Sequence, residues 1–120
     1  RVLFRSHVPG DEVLLRQAFS NLLRNAVDAC ASGASRPRIV VDGSLDAARG
    51  ECVITVDDSG PGIPESTRDR VFQPFFTSKP HGTGLGLALV QKIVVSHNGR
   101  VSVGSSPLGG ARLQVTLPTA

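Results

Sequence analysis

The chain has 120 residues, 40% of them hydrophobic and 19% charged, with a formal net charge of +3, which fits one soluble globular domain with a single core. Its arginines are scattered from Arg1 to Arg112, without a basic run or interleaved aromatics, so a single-strand nucleic-acid groove is excluded. No segment reaches the ~18 apolar residues of a membrane span, and no signal peptide opens the chain.

With no Trp, Tyr or Met and five Phe, the core must come from Val, Leu, Ile, Ala and Phe. Cys30 and Cys52 are isolated, lack metal-ligand spacing and read as two buried thiols of a reducing compartment. Val2 to Val8 alternates weakly and predicts a short strand. Pro9-Gly10 turns the chain, and Asp11 is placed to cap a helix with Glu12 in its first turn. From Val13 to about Ala31 the residues Leu15, Phe19, Leu22, Leu23, Ala26 and Cys30 recur at helical spacing, and Gly33 ends that helix. Arg38 to Val41 predicts a strand, Asp42 to Gly50 a loop, and Cys52 to Val56 a second strand ending in Asp57-Asp58. Ser59 to Pro64 is a Gly/Pro loop, Glu65 to Val71 a short helix, and Phe72 to His81 an irregular loop. Leu85 to His97 is the second long helix, stopped by Asn98-Gly99. Val101 to Val103 and Leu113 to Leu117 alternate and predict a closing hairpin. This order predicts an α/β fold, a mixed sheet with helices on one face.

Four stretches carry residues suited to chemistry. Asn21, Asn25 and Asp28 fall at i, i+4 and i+7, within roughly 60° of each other on the helix surface, beside the apolar face. An asparagine oxygen is a hard, neutral ligand suited to Mg²⁺, although the same stripe also describes a solvated polar edge. At Asp58-Ser59-Gly60-Pro61-Gly62-Ile63 a carboxylate ends a buried strand and two glycines follow. The carboxylate accepts hydrogen bonds only, which suits an amino donor such as an adenine edge, while Pro61-Gly62 is equally a turn. Phe72 to Lys79 gathers Phe72, Phe75 and Phe76 in a segment that is no strand, and Lys79 lies within reach of Gly82. Gly82-Thr83-Gly84-Leu85-Gly86-Leu87 runs three glycines into a helix start, which fits an anion site or a structural hinge. The P-loop and dinucleotide fingerprints are not met, and His7, His81 and His97 have no metal spacing.

In this order the segments resemble the ATP-binding catalytic domain of sensor histidine kinases, of the HATPase or GHKL group. Asn21-Leu22-Leu23-Arg24-Asn25-Ala26 resembles the N box, Asp58 to Ile63 the first glycine box, Phe72 to Lys79 the phenylalanine box, and Gly82 to Leu87 the second glycine box. Leu117-Pro118 resembles the family ending, and Pro74-Phe75-Phe76-Thr77-Ser78-Lys79 is most similar to the nitrogen-regulation subgroup. The resemblance spans nearly the whole chain and implies one catalytic domain over residues 1–120. Its fold would be a two-layer α/β sandwich, the Bergerat fold, with a mixed five-stranded sheet and a flexible ATP lid.

The resemblance also implies roles. Asp58 would bond the adenine amino group, with Gly60, Gly62 and Ile63 shaping the base pocket. Asn25 would coordinate Mg²⁺, with Asn21 assisting at the phosphates. Residues 72 to 82, with Phe76 and Thr77 among the ATP contacts, would form the lid, and Lys79 would face the γ-phosphate. Gly82, Thr83, Gly84, Leu85, Gly86 and Leu87 would surround the phosphates. Two positions depart from the common family pattern: Asp28 stands where many members carry a basic residue, and Asn98 replaces the first glycine of His-Gly-Gly, at a site where asparagine tolerates the left-handed conformation.

The ATPase relatives place a glutamate one turn before the magnesium asparagine. Here that position is Asn21, which is no general base, so kinase chemistry is expected over hydrolysis. None of His7, His81 and His97 has the context of the family's acceptor histidine. The implied protein is therefore a cytoplasmic, ATP- and Mg²⁺-binding half of a histidine protein kinase, itself without membrane or nucleic-acid contact. It would donate phosphate to a histidine on a separate dimerisation domain, upstream of a response regulator. An anti-sigma-factor-type serine kinase and a non-catalytic ATP-binding module are the competing expectations.

Overall fold

Asp11 opens the first helix with its side chain: Oδ1 accepts hydrogen bonds from the N–H groups of Val13 (2.9 Å) and Leu14 (3.1 Å). Two donors that a helix start leaves without an intrahelical partner are thereby satisfied. The computed structural model describes residues 9–31, 36–76 and 84–119. In it helix α1 covers Glu12–Ala31, strand β1 Ile39–Asp46, strand β2 Glu51–Asp58, a 3₁₀ turn Glu65–Thr67, helix α2 Gly86–Ser96, strand β3 Arg100–Ser105 and strand β4 Ala111–Pro118. The strand expected at Val2 to Val8 and the helix stop at Gly33 lie outside the described residues.

The four described strands form one sheet in the order β1-β2-β4-β3, antiparallel at every pairing. The expectation of a mixed, five-stranded sheet is corrected to four antiparallel strands among the described residues. β1 is also longer than its β-branched stretch suggests. Asp42, Gly43 and Ser44 pair with Thr55, Ile54 and Val53, whose strong strand preference draws in poor strand formers. The loop expected from Asp42 to Gly50 thus shrinks to a turn at Ala47 to Gly50. The helix expected over Glu65 to Val71 is a 3₁₀ turn followed by further turns. Its backbone bonds run i+3 to i: Thr67 to Pro64, Arg68 to Glu65 and Arg70 to Thr67. The Thr67 hydroxyl also donates to Pro64 O, a local bond that competes with α-helical pairing.

The core lies between the helices and one face of the sheet. Ala18, Leu22 and Ala26 from α1 meet Val90, Ile93 and Val94 from α2 over Val56, Leu113, Val115 and Leu117. Leu23, expected in that face, is 42% exposed, because it sits one helical step beyond the Leu22 and Ala26 row. Cys30 is buried as expected, whereas Cys52 is only half-buried, and both are free thiols.

The two helices are joined end to end by His97. Its Nδ1 lies 2.8 Å from Ile93 O and its Nε2 accepts the Asp11 N–H at 2.9 Å, so the Nδ1–H tautomer satisfies both contacts. Asn98 then takes φ 61° and closes α2, as expected of an asparagine at that position. Among the described residues no helix is long and apolar enough to cross a membrane.

Candidate functional site

Strand alternation sends Asp57 and Asp58 to opposite faces of β2. Asp58 lies on the same face as Val56, toward the helices, and is 1% exposed. A carboxylate this deep needs partners. Oδ1 accepts the N–H of Gly60 at 2.9 Å and of Ala111 at 3.1 Å. No hydrogen bond among the described residues ends on Oδ2, yet no buried side-chain polar atom there is left without a partner. Both of the donors that the described residues bring to this carboxylate therefore fall on Oδ1.

The first glycine box is held against α1. A Cβ at Gly60 would lie 2.7 Å from Ala29 O and 2.9 Å from its carbonyl carbon, so this loop approaches the helix as only glycine permits. Ser59 beside it accepts the Arg38 N–H (2.8 Å) and donates to Arg36 O (3.1 Å), with Cys30 Sγ at 3.7 Å. Gly62 follows at φ 81°. Ile63 packs partly on the core, and its carbonyl accepts Arg68 Nε–H at 3.1 Å while Arg68 Nη2 reaches Ser105 Oγ at 2.9 Å.

Asn21, Asn25 and Ala29 are each one turn apart on α1, so they form a single row. Its last member touches Gly60, which puts both asparagines in line with the glycine box, half-buried at the edge of the core. Asp28 lies farther round the helix and is exposed. A cleft of about 510 Å³, lined by Leu15, Arg16, Phe19 and Leu23 among others, runs along the opposite flank of α1 and has no part in this row.

The phenylalanine box and the second glycine box meet at Phe75 and Gly84. Phe75 N–H donates to Gly84 O at 2.8 Å, and a Cβ at Gly84 would run into the Phe75 carbonyl carbon. Gly84 has φ 73° and Phe75 φ 69°, so both take the left-handed backbone conformation. Phe76 lies under the Arg70 guanidinium, 5.4 Å from its ring centre, while Phe75 is 75% exposed. Leu85 is the N-cap of α2, and the amides of Gly86, Leu87 and Ala88 lead the helix without intrahelical acceptors. Gly86 is exposed and a Cβ there would meet nothing within 4 Å, so packing does not explain that glycine. Thr77, Lys79, Gly82 and Thr83 lie outside the described residues.

The β3–β4 connection was legible only as a hairpin loop, yet it reaches Asp58. Gly110 N–H donates to Asp58 O at 3.1 Å, and a Cβ at Gly110 would collide with Asp58 Oδ1. Gly109-Gly110 was the available signal, but nothing local ties it to a residue so far away in sequence. On the outer face, Arg112 holds Asp57 through two bonds, Nε to Oδ1 at 2.8 Å and Nη2 to Oδ2 at 2.9 Å. Those bonds, with a smaller contribution from Ser106, keep the Asp57 carboxyl below its ordinary value of 3.8 despite its burial.

Residues 10–120 match the sequence profile of the family described as histidine kinase-, DNA gyrase B-, and HSP90-like ATPase. The chain belongs to that family. The sensory histidine kinase/phosphatase NtrB of Rhodobacter capsulatus is 41% identical over 119 residues, covering 92% of this chain and 33% of that protein. The nitrogen regulation protein NtrY of Azorhizobium caulinodans is 36% identical over 129 residues, covering 97% of this chain and 16% of that protein. The chain thus spans a third or less of the length of these curated relatives. Among solved structures, the mycobacterial sensor histidine kinase MprB superposes with a TM-score of 0.83 at 32% identity, over 93% of this chain and 76% of that one. Full-length ShkA in complex with AMPPNP gives 0.78 at 32% identity, over 92% of this chain and 22% of that one.

Proposed function

We propose that this chain is the ATP-binding catalytic domain of a cytoplasmic sensor histidine kinase of the nitrogen-regulation type. It would bind Mg-ATP and donate the γ-phosphoryl group to a histidine on a separate dimerisation domain, from which a response regulator is served. Asp58 carries the reading. It is a buried carboxylate whose two described backbone donors both fall on Oδ1, an arrangement that would leave Oδ2 to accept an amino hydrogen.

The other residues fit the same ligand. Gly60, Gly62 and Ile63 form the wall beside Asp58, and the α2 start at Leu85, Gly86 and Leu87 offers amides and a positive dipole end to phosphates. Phe76 and Gly84 border the segment of Thr77, Lys79, Gly82 and Thr83, which we assign to the phosphate side. Asn25 would hold Mg²⁺ with Asn21 beside it, since a neutral amide oxygen suits an ion already surrounded by phosphate. When bound, the ion neutralises charge on the transferring phosphoryl group. Asn21 cannot take a proton from water, so transfer to an imidazole nitrogen, with release of ADP, is favoured over hydrolysis.

Calorimetry with Mg-ATP tests the site. Asp58→Asn and Asn25→Ala should each abolish measurable binding while the circular dichroism spectrum and urea midpoint stay near wild type. Near-normal affinity in a folded Asp58→Asn protein would remove the basis of the assignment. Isolated, the chain should hydrolyse ATP very slowly, and turnover typical of a dedicated ATPase would exclude the kinase reading. Phosphate transfer to a supplied hairpin bearing a His-Glu or His-Asp pair then tests the acceptor.

A further inference from the structure

Asp57 and Asp58 are neighbours with separate surroundings, and the structure links them through two adjacent residues of β4. Arg112, bonded in a fork to Asp57 on the outer face of the sheet, follows directly after Ala111, whose N–H occupies Asp58 Oδ1 on the inner face. The register places Asp57 opposite Arg112. At this end of the ladder, Gly110 N–H also bonds Asp58 O, and Ser106 N–H bonds Gly110 O at 2.8 Å. The turn from Ser106 to Gly110 therefore rests on Asp58 beside Gly60, whose N a Cβ at Gly110 would approach to 2.7 Å. The Asp57 side chain is 5% exposed and that of Arg112 37%, so the pair is shielded enough for its geometry to matter.

Strand ends fray unless something holds them. Without a clamp, the start of β4 would separate from the end of β2, and the Ala111 N–H would leave the carboxylate. Asp58 would then be oriented by Gly60 alone and free to turn about its side-chain torsions.

We propose that the Asp57–Arg112 pair positions Asp58 and thereby sets base selectivity: it fixes the Ala111 N–H on Oδ1, so that Oδ2 is presented to the 6-amino group of adenine and repels the 6-oxo group of guanine. Neither Asp57 nor Arg112 touches the nucleotide; both are positioning residues. This inference rests on the ATP reading of the Asp58 site.

The test is the ratio of affinities for ATP and GTP, each measured with Mg²⁺ by calorimetry or competition, on the wild-type chain, Arg112→Gln, Asp57→Asn and Arg112→Lys. Lysine keeps the charge but not the two-pronged bond, and it serves as the milder variant should the others unfold. Wild type should prefer ATP. In Arg112→Gln and Asp57→Asn the preference should narrow by about tenfold, the scale of a weakened hydrogen bond to a charged group, through loss of ATP affinity with GTP affinity little changed. Arg112→Lys should fall between them and wild type. A purely structural role would lower both affinities by one factor and leave the ratio intact, which overturns the inference, as does an unchanged ratio in folded variants. A wild-type chain without preference for ATP overturns the inference together with the adenine reading beneath it. Wild-type preference with unaltered variants overturns the inference alone.

Discussion

Gly60 shows how narrow the tolerance is at single residues of this site. A methyl group there would press on the carbonyl of Ala29, and helix backbone cannot yield as a flexible side chain can. Gly60→Ala should destabilise the fold by about 1–3 kcal/mol and weaken nucleotide binding, because relief of the contact must tilt the loop that holds Asp58. Urea unfolding checks the first expectation, and a midpoint equal to wild type would contradict it. Asp58 was legible from sequence because strand, carboxylate and glycines are contiguous. Ala111, which supplies half of the fixation of Oδ1, lies 53 positions from it. No local pattern links the two, since an amide donor is common to every residue but proline.

At the scale of elements, α1 carries the asparagine row and α2 the leading amides, so their relative placement governs the site. Buried apolar residues do most of the packing between them, and His97 adds a polar tie at the ends farthest from the glycine box. His97→Ala removes its acceptor for the Asp11 N–H and its contact with Ile93 O. A loss of about 1 kcal/mol is expected, with Mg-ATP affinity close to wild type. Paired urea and calorimetric titrations check this, and a large affinity loss at unchanged stability would place His97 in the site instead. The helices were legible because their apolar periodicity is strong. β1 was legible only in its first residues, because Asp42, Gly43 and Ser44 are strand by pairing with β2 and not by their own preference.

At the scale of the whole molecule, two carboxylates among the described residues are held below their ordinary range by arginines of the same sheet: Asp57 by Arg112 on the adjacent strand, and Glu51 by Arg100 two strands away, whose Nη1 lies 2.8 Å from Oε2. A depressed folded value means that the unfolded chain binds protons more readily. The stabilisation is therefore complete above the unfolded values, near 3.8 for Asp57 and 4.5 for Glu51, and is lost as pH falls below them. Glu51 and Arg100 are solvent-screened, so the effect should come chiefly from Asp57. Arg112→Gln should be less stable than wild type at pH 7, and the gap should close as both approach pH 3. Urea midpoints measured across that range check the sign, and a gap that widens in acid would refute it.

The sequence by itself determined the family, the α/β layering, the boundaries of the two long helices to within a residue or two, and Asp58 and Asn25 as the residues to examine. These follow from contiguous signals: apolar periodicity, a capping aspartate, and glycines beside a carboxylate. Tertiary structure alone decided the strand order, the extent of β1, and the row that aligns Asn21 and Asn25 with Gly60. It alone also set the partners of Asp58, the N–H groups of Gly60 and Ala111 on Oδ1. The physical reason is that these depend on pairings between distant backbone groups, whose donors and acceptors are the same at nearly every residue and leave no local mark in the sequence.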